Sequence, residues 1–298
     1  MKIAVIGLEH LGAVTATCLS SMGHDVLAFG TEEQRKVFYQ DPDSIEPGLS
    51  KYEQSRFLNL PVFTLKELHL IKNCDIVWIC YDTPVSADGT ANVAWVTSKM
   101  TEEIFPHLGS NTVVLISSQL PVGTTDEMAK WFREHRPTHH QNIHVAYSPE
   151  NLRHGDAIDR FLHPDRVVFG TDNLNAITVL RKIFDPPNLH TIWTGIKEAE
   201  MIKHAINCFL ATEIAFINEV DTICTKMNID ADVVAKGLMT DKRIGKLAYL
   251  KPGGPYTHKT LGRDINYLWD IGNAHSVESL LIWGVHRSNE RRKNETQA

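Results

Sequence analysis

The sequence of 298 residues predicts an α/β protein in which an N-terminal, doubly wound sheet is followed by a long central helix and a mainly helical domain. Short β-branched runs alternate with polar or helical segments along the first part of the chain, which is typical of a mostly parallel sheet. A long segment without glycine or proline follows them. We therefore expect a sheet domain over 1–196 and a helical domain over 197–298.

The chain opens with a βαβ pattern. Residues 2–7 (KIAVIG) form a β-branched run that ends in glycine, a helical pattern covers 11–22, and a second strand is predicted over 25–29. Further apolar runs predict strands that extend the sheet. They cover 75–80, 112–117, 144–147 and 166–170.

The segment from 197 to 226 predicts a long amphipathic helix, because its apolar residues recur at spacings of three and four. Further helical patterns cover 230–239 and 264 to the end, and a loop rich in glycine and proline, 251–257, lies between them. The last thirteen residues are polar, and we expect them to be frayed.

Composition limits the partners and the location. A net charge of −6 and a pI near 6.2 argue against a nucleic-acid partner, which usually requires a basic face. We expect no membrane association, because no run reaches the roughly 20 apolar residues that span a bilayer. The chain enters an apolar strand at once without a basic leader, so we expect a complete start and a cytoplasmic location.

The five cysteines form no CxxC pair and lie in apolar runs, which indicates free buried thiols in a reducing compartment. The histidines at 163, 204 and 258 show no ligand spacing with acids, so we expect no metal site. Structural or surface roles are expected for His163 and His204.

The loop after the first strand carries part of the Rossmann-type GxGxxG pattern. Gly7 ends the strand and Gly12 begins the helix, but Glu9 replaces the middle glycine. A carboxylate would repel a pyrophosphate, so we expect Glu9 to point away or the cofactor to be displaced. Gly30 stands where an acid usually accepts the ribose hydroxyls, and Glu32 is a possible substitute. This loop alone leaves open a domain that binds no nucleotide.

Several stretches, in order along nearly the whole chain, form one recognisable set. They are GLEHLGAVTATCLSSMGHDV (7–26), EPGL (46–49), DTPVSADGTANV (82–93), LPVGTT (120–125), SPENLRHGDAI (148–158), FLHPDRVVFGT (161–171), EAEMIKHAINCFLATEIAFINEV (198–220) and RIG (243–245). Together they resemble the UDP-glucose and GDP-mannose dehydrogenase family of nucleotide-sugar dehydrogenases. The resemblance implies an NAD-binding domain, a central helix that also forms a dimer interface, and a middle domain that carries the chemistry. Family members continue into a third domain, which leaves the substrate open.

The resemblance implies NAD as the cofactor. NADP remains an alternative, because the acid that would exclude a 2′-phosphate is missing. Gln119 departs from the family, which usually has a threonine there. The implied cofactor-binding residues are Gly7, Leu8, His10, Leu11, Gly12, Gly30, Thr31, Tyr81, Thr83, Pro84, Ser118, Gln119, Glu150 and Arg263.

Lys203 and Asn207 lie four residues apart on the long helix, so they share one face and can stabilise one developing alkoxide. The matching family residues hold the oxyanion, and an aspartate matching Asp264 assists proton transfer. Glu150 matches a family glutamate that can act as a base through water.

The resemblance also implies substrate-binding residues and a homodimer. His154 replaces a family glutamate and Asn151 replaces an aromatic residue, so the floor of this region is altered. Arg243 resembles an arginine that reaches the substrate phosphate of a partner subunit. The implied substrate-binding residues are Glu150, Asn151, Leu152, Arg153, Lys203, Asn207, Arg243, Tyr249, Gly253, Gly254 and Tyr256.

Thr260 aligns with the catalytic cysteine of the family, and its hydroxyl is a poor replacement for a thiol. Cys208 follows Asn207, and we expect it in the core. His258, two residues before Thr260, is an acid–base candidate. We therefore expect one hydride transfer, from the hydroxyl of a nucleotide or nucleotide sugar, to give a carbonyl. Four-electron oxidation to a uronate and a regulatory paralogue that only binds cofactor are the alternatives.

Overall fold

The computed structural model describes residues 1–53, 60–86, 90–135, 143–150, 152–184 and 189–297. Within these ranges, eight strands form one sheet in the order β3-β2-β1-β4-β5-β6-β7-β8. This arrangement confirms the predicted α/β class. The strands are β1 (Lys2–Ile6), β2 (Asp25–Gly30), β3 (Val62–Thr64), β4 (Ile76–Ile79), β5 (Val113–Ile116), β6 (His144–Tyr147), β7 (Val167–Gly170) and β8 (Thr191–Thr194).

The sheet is parallel except where β7 joins β6. Six of the strands match the predicted runs. The other two, β3 and β8, span only three and four residues. Runs this short show too little alternation to be separated from loops by sequence.

The α-helices include the long helix that the sequence predicts. α8 runs from Ile196 to Lys226, which confirms the predicted amphipathic helix. The others are α1 (His10–Ser21), α2 (Glu32–Gln40), α3 (Leu49–Glu53), α4 (Val93–Ser98), α5 (Thr124–His135), α6 (Ala157–Leu162), α7 (Leu174–Leu180), α9 (Ala231–Thr240), α10 (Arg263–Ala274) and α11 (Leu280–Gln297).

The chain divides into two compact units. The first comprises Met1–Pro84 and Asn92–Met201, and the second comprises Val85–Ala91 and Ile202–Ala298. The domain boundary at 196/197 remains a prediction. In the first unit the central strands β1 and β4 are buried apart from the half-buried Lys2, as expected for a parallel sheet covered on both faces.

The strand order reverses at β1, which pairs with β2 on one side and with β4 on the other. In a doubly wound sheet, such a switch point opens a crevice at the carboxyl ends of the strands, and this crevice is where ligands bind. The topology therefore places the candidate cofactor loop, which follows β1, at the expected position.

The end of the second unit differs from the prediction. The helical pattern after 264 is two helices, and the polar tail belongs to α11 rather than fraying. Arg292 explains the order of this helix, because its guanidinium donates to Asp221 on α8 at 2.6 Å and to the Gly253 carbonyl at 2.9 Å. No helix in the described ranges is both long enough and apolar enough to span a bilayer.

Candidate functional site

Most of the predicted cofactor residues lie in the first unit, in the segments that directly follow strands β1, β2, β4, β5 and β6. The carboxyl ends of parallel neighbours meet at one edge of a sheet, so the fold brings these segments together. Arg263 is the exception. It is buried at the start of α10 in the second unit.

In the turn between β1 and α1, the backbone at the start of the helix lies very close to the backbone at the end of the strand. Gly7 has a φ of +96°, which favours glycine. A Cβ at Gly12 would lie 1.6 Å from the Gly7 carbonyl oxygen, so only glycine lets the helix begin this close to the strand. Glu9 is the N-cap residue of α1, but its side chain caps no N–H group. Because the Glu9 side chain does not occupy the N–H groups of the first turn, an anion such as a pyrophosphate is a candidate partner for them.

The Glu9 carboxylate is directed to α2. Gln34 Nε2 donates to Glu9 Oε1 at 2.6 Å. Burial, opposed by a hydrogen bond from its own backbone and reinforced by the charge of Asp82, raises the pKa of Glu9. Sequence reasoning missed Gln34, although Thr31-x-x-Gln34 has the spacing of a capping box, which the structure contains.

His10 pairs with a buried acid. Its Nε2 lies 2.8 Å from Glu46 Oε2, and Glu46 also accepts from the N–H groups of Gly155 and Ala157, both at 2.9 Å. Against the opposing effect of burial, these donors lower the pKa of Glu46. The His10 ring lies 5.5 Å from that of His154. The two histidines line a cavity of about 320 Å³, together with Leu8, Glu9, Glu33, Gln34, Val37, Ser44 and Ile45.

The residues after β4 and β5 supply buried polar atoms that fit a bound cofactor. Thr83 Oγ1 donates to the Gln119 carbonyl at 2.7 Å, which ties the two segments together. Tyr81 Oη and Ser118 Oγ are buried and make no hydrogen bond within the described chain. Such groups usually have a partner, so they are candidates for contact with a ligand. Pro84, which follows Thr83 in the chain, is exposed.

Glu150 follows β6 and is half-buried. Burial and then the charge of Glu150 raise the pKa of Cys18 to about 12 and that of Cys80 well above its usual range. Leu152 is half-buried and Arg153 is exposed, whereas Asn151 lies outside the described residues.

The second unit brings Asn207 and Asp264 together. Asn207 Nδ2 and His204 Nδ1 both hydrogen bond to the Asp264 carboxylate, the latter at 2.8 Å. His204 and Asp264 are fully buried, and half-buried Lys203 precedes His204 on α8. Sequence reasoning gave His204 only a structural or surface role. Its partner is sixty positions away along the chain, so no local pattern could reveal the pair.

Thr260 is exposed within a π-helical turn, His258–Gly262, that leads into α10. The His258 side chain lies outside the described part of the structure. All five cysteines are buried and free, as predicted. Cys208 packs in the core with Ala211 and Ile265, and burial followed by the charge of Asp264 raises its pKa to about 12. This thiol therefore stays protonated.

The 251–257 loop is held by hydrogen bonds to α8 and α11. Asn218 on α8 accepts from the Gly253 N–H at 3.0 Å and donates to the Gly254 carbonyl at 3.1 Å. The buried Tyr256 is held by Asn289, which accepts from its N–H at 2.9 Å. Two other predicted substrate residues lie nearby in sequence. The Tyr249 N–H donates to Glu213, and Arg243 is exposed and paired with Asp241.

Comparisons with known proteins cover almost the entire chain. The model of the NAD binding domain of the UDP-glucose/GDP-mannose dehydrogenase family matches residues 1–188, and the model of its central domain matches residues 197–291. The UDP-glucose 6-dehydrogenase YwqF of Bacillus subtilis is 38% identical over 94% of this chain, and the UDP-glucose 6-dehydrogenase of Rickettsia bellii is 32% identical over 98%.

The chain spans 64% and 67% of the length of these two relatives. A solved UDP-glucose dehydrogenase from Pyrobaculum islandicum is similar with a TM-score of 0.82 and 26% identity, covering 97% of this chain and 68% of that one. The match to the NAD binding domain supports NAD as the cofactor. The loop of Gly7 and Gly12 fits it, as do the buried hydroxyls of Tyr81 and Ser118, which have no partner within the described chain. The chain belongs to the UDP-glucose/GDP-mannose dehydrogenase family.

Proposed function

We propose that this chain is an NAD-dependent dehydrogenase that oxidises one hydroxyl of a nucleotide sugar to a carbonyl in a single hydride transfer. The observation that carries the proposal is the contrast within the second unit. By resemblance, Lys203, Asn207 and Asp264 match catalytic residues of the family, whereas an exposed threonine, Thr260, stands where the family has its nucleophilic cysteine.

Lys203 and Asn207 would act on the reacting oxygen. As the hydroxyl loses its proton and the carbon loses hydride, the ammonium and the amide N–H stabilise the negative charge on oxygen. NAD supplies the acceptor for the hydride, so the products are a carbonyl, NADH and one proton. By resemblance, Glu150 would take the proton through water.

Asp264 would act as a positioning residue. Because it is fully buried and accepts hydrogen bonds from both Asn207 and His204, its carboxylate fixes the direction of the Asn207 amide. An amide held in advance loses less entropy when the substrate binds. We therefore place His204 in the same supporting network, which gives a specific form to the structural role expected for it.

The carbonyl would be the end product, because a second oxidation in this family requires covalent attack by a thiolate. The buried Cys208 is held in its protonated form by a pKa near 12. The Thr260 hydroxyl is exposed, and a threonine hydroxyl has a far higher pKa than a thiol, which makes it a weaker nucleophile.

The second candidate is oxidation to a uronate, with two hydride transfers. The names of the curated relatives, both UDP-glucose 6-dehydrogenases, favour it. A third candidate, a regulatory protein that binds cofactor without turnover, is favoured by the altered loop at Glu9.

Product stoichiometry distinguishes these candidates. The protein is incubated with NAD and, in turn, UDP-glucose, GDP-mannose and plain UDP, and the products are identified by mass spectrometry. We expect one NADH for each substrate consumed and a carbonyl product, with the same result for Thr260→Ala. An acid with two NADH would instead establish the uronate reaction, and absence of turnover with every substrate would favour the regulatory role.

We also propose a homodimer in the cytoplasm. Three large apolar residues on α8, Phe209, Phe216 and Ile223, are 65%, 51% and 59% exposed. They are seven residues apart, so they form one stripe that a second copy could cover. We expect light scattering after size exclusion to give a dimer mass for the native chain and a monomer mass for Phe216→Lys. Thr225→Lys, elsewhere on the exposed surface of α8, should remain dimeric, and a monomeric native chain would refute the proposal.

A further inference from the structure

Two residues that depart from the usual dinucleotide-binding pattern lie at the ends of neighbouring strands in the first unit. Glu9 replaces a glycine after β1, and Gly30 ends β2 where an acid is usual. β1 and β2 are parallel neighbours with Ile6 opposite Phe29, so the segments that follow them leave the sheet side by side. A carboxylate missing from one strand end can therefore be supplied from the other.

A side chain at position 30 would crowd Gln34 and Leu8. A Cβ on Gly30 would lie 2.8 Å from Gln34 Oε1 and 3.1 Å from the Leu8 side chain. The Gln34 amide thus occupies the space beside this residue.

Gln34 is itself held in one orientation. Its Oε1 accepts from the Thr31 N–H at 2.9 Å, so its Nε2 is the end that donates to Glu9 Oε1 at 2.6 Å. The same amide therefore closes the capping box of α2 and anchors the Glu9 side chain. Glu9 is fixed beside the end of β2, although it belongs to the loop after β1.

The second carboxylate oxygen of Glu9 has no donor within the described chain. Glu9 Oε2 is buried and accepts no hydrogen bond there, which is costly for a carboxylate. Glu9 also lines the cavity of about 320 Å³, a volume within the range of ligand pockets. A hydroxyl of a bound ligand would supply the missing donor.

The lining of this cavity suits a nucleoside without an added phosphate. Leu8, Val37 and Ile45 offer apolar surface for a base, and Glu9 and Glu33 add two carboxylates. No lysine or arginine is among the described residues of the lining. His10 is paired with Glu46, so its charge when protonated is balanced. A 2′-phosphate would bring more than one negative charge against these acids.

We propose that Glu9, oriented by Gln34, accepts the hydrogen bond of the adenine-ribose hydroxyls and repels a 2′-phosphate, so that the chain selects NAD over NADP. The proposal rests on the proposed function only in that a dinucleotide binds to the first unit. It assigns the role of the acid that usually ends β2 to Glu9, a residue of the loop between β1 and α1.

Binding of NAD, NADP and 2′-deoxy-NAD, measured by calorimetry without substrate, tests the assignment. We expect the native chain to bind NADP and 2′-deoxy-NAD at least about 10-fold more weakly than NAD. Glu9→Gln should weaken NAD binding by about 10- to 100-fold and should bring 2′-deoxy-NAD within about threefold of NAD. Glu32, the other acid that the sequence offers for this role, does not line the cavity, so Glu32→Gln should bind all three dinucleotides as the native chain does.

An unchanged ratio of NAD to NADP affinity in Glu9→Gln would overturn this inference while leaving the dehydrogenase proposal in place. Equal affinity of the native chain for NAD and 2′-deoxy-NAD would also overturn this inference. That measurement uses only the native chain, so it does not require that the variant folds. Absence of binding by all three dinucleotides to the native chain would overturn both proposals.

Discussion

Replacing Lys203 with methionine is expected to lower kcat for NADH formation by about 100- to 1000-fold, the usual effect of removing one donor from a developing oxyanion. Methionine keeps the length and apolar stem of lysine, so the variant removes the ammonium with little change in volume. Because the charge on oxygen grows only as hydride leaves, the loss should fall mainly on kcat and less on KM.

The matched control is Lys236→Met, which changes an exposed lysine of α9 and should keep native activity. NAD affinity measured by calorimetry should be the same in both variants, because Lys203 lies outside the predicted cofactor residues. A kcat for Lys203→Met within threefold of the native value would remove Lys203 from the reaction. A loss of NAD binding would show that the variant disturbs the fold instead.

Replacing Asp264 with alanine is expected to lower the free energy of unfolding by about 2 to 6 kcal/mol. The substitution leaves His204 Nδ1 and Asn207 Nδ2 buried without their acceptor. Each buried group that loses its partner costs about 1–3 kcal/mol, and two groups are affected. Activity should also fall, because the Asn207 amide loses the bond that orients it.

Urea unfolding followed by circular dichroism measures this effect through the transition midpoint and slope. Asp270→Ala is the control, because Asp270 is exposed on the same helix, and its effect should stay within about 0.5 kcal/mol. A loss below about 1 kcal/mol for Asp264→Ala would indicate that the buried groups find other partners. Asp264 would then not be the centre of the network.

Local patterns were enough to predict the βαβ opening and helix α8. Continuous apolar runs with β-branched residues identify buried strands, and spacing by three and four identifies a helix face, so six strands and α8 could be predicted. Strands β3 and β8 could not, because three or four residues pair only when a neighbouring strand is already in place. The order of the polar tail could not be predicted either, because the partners of Arg292 lie on α8 and in the 251–257 loop.

Some features of the candidate site could likewise be predicted from the sequence, and others could not. Sequence by itself determined the glycines of the β1–α1 turn, the Lys203–Asn207 spacing and the absence of a cysteine near Thr260, since each depends on residue type and local separation. Only the tertiary structure decided that Glu9 turns to Gln34 and that His204 and Asn207 meet on Asp264. These contacts join residues 25 and about 60 positions apart, and burial makes each depend on one particular partner. Hydrogen bonds of this kind become specific only when packing excludes water, and packing is a property of the folded chain.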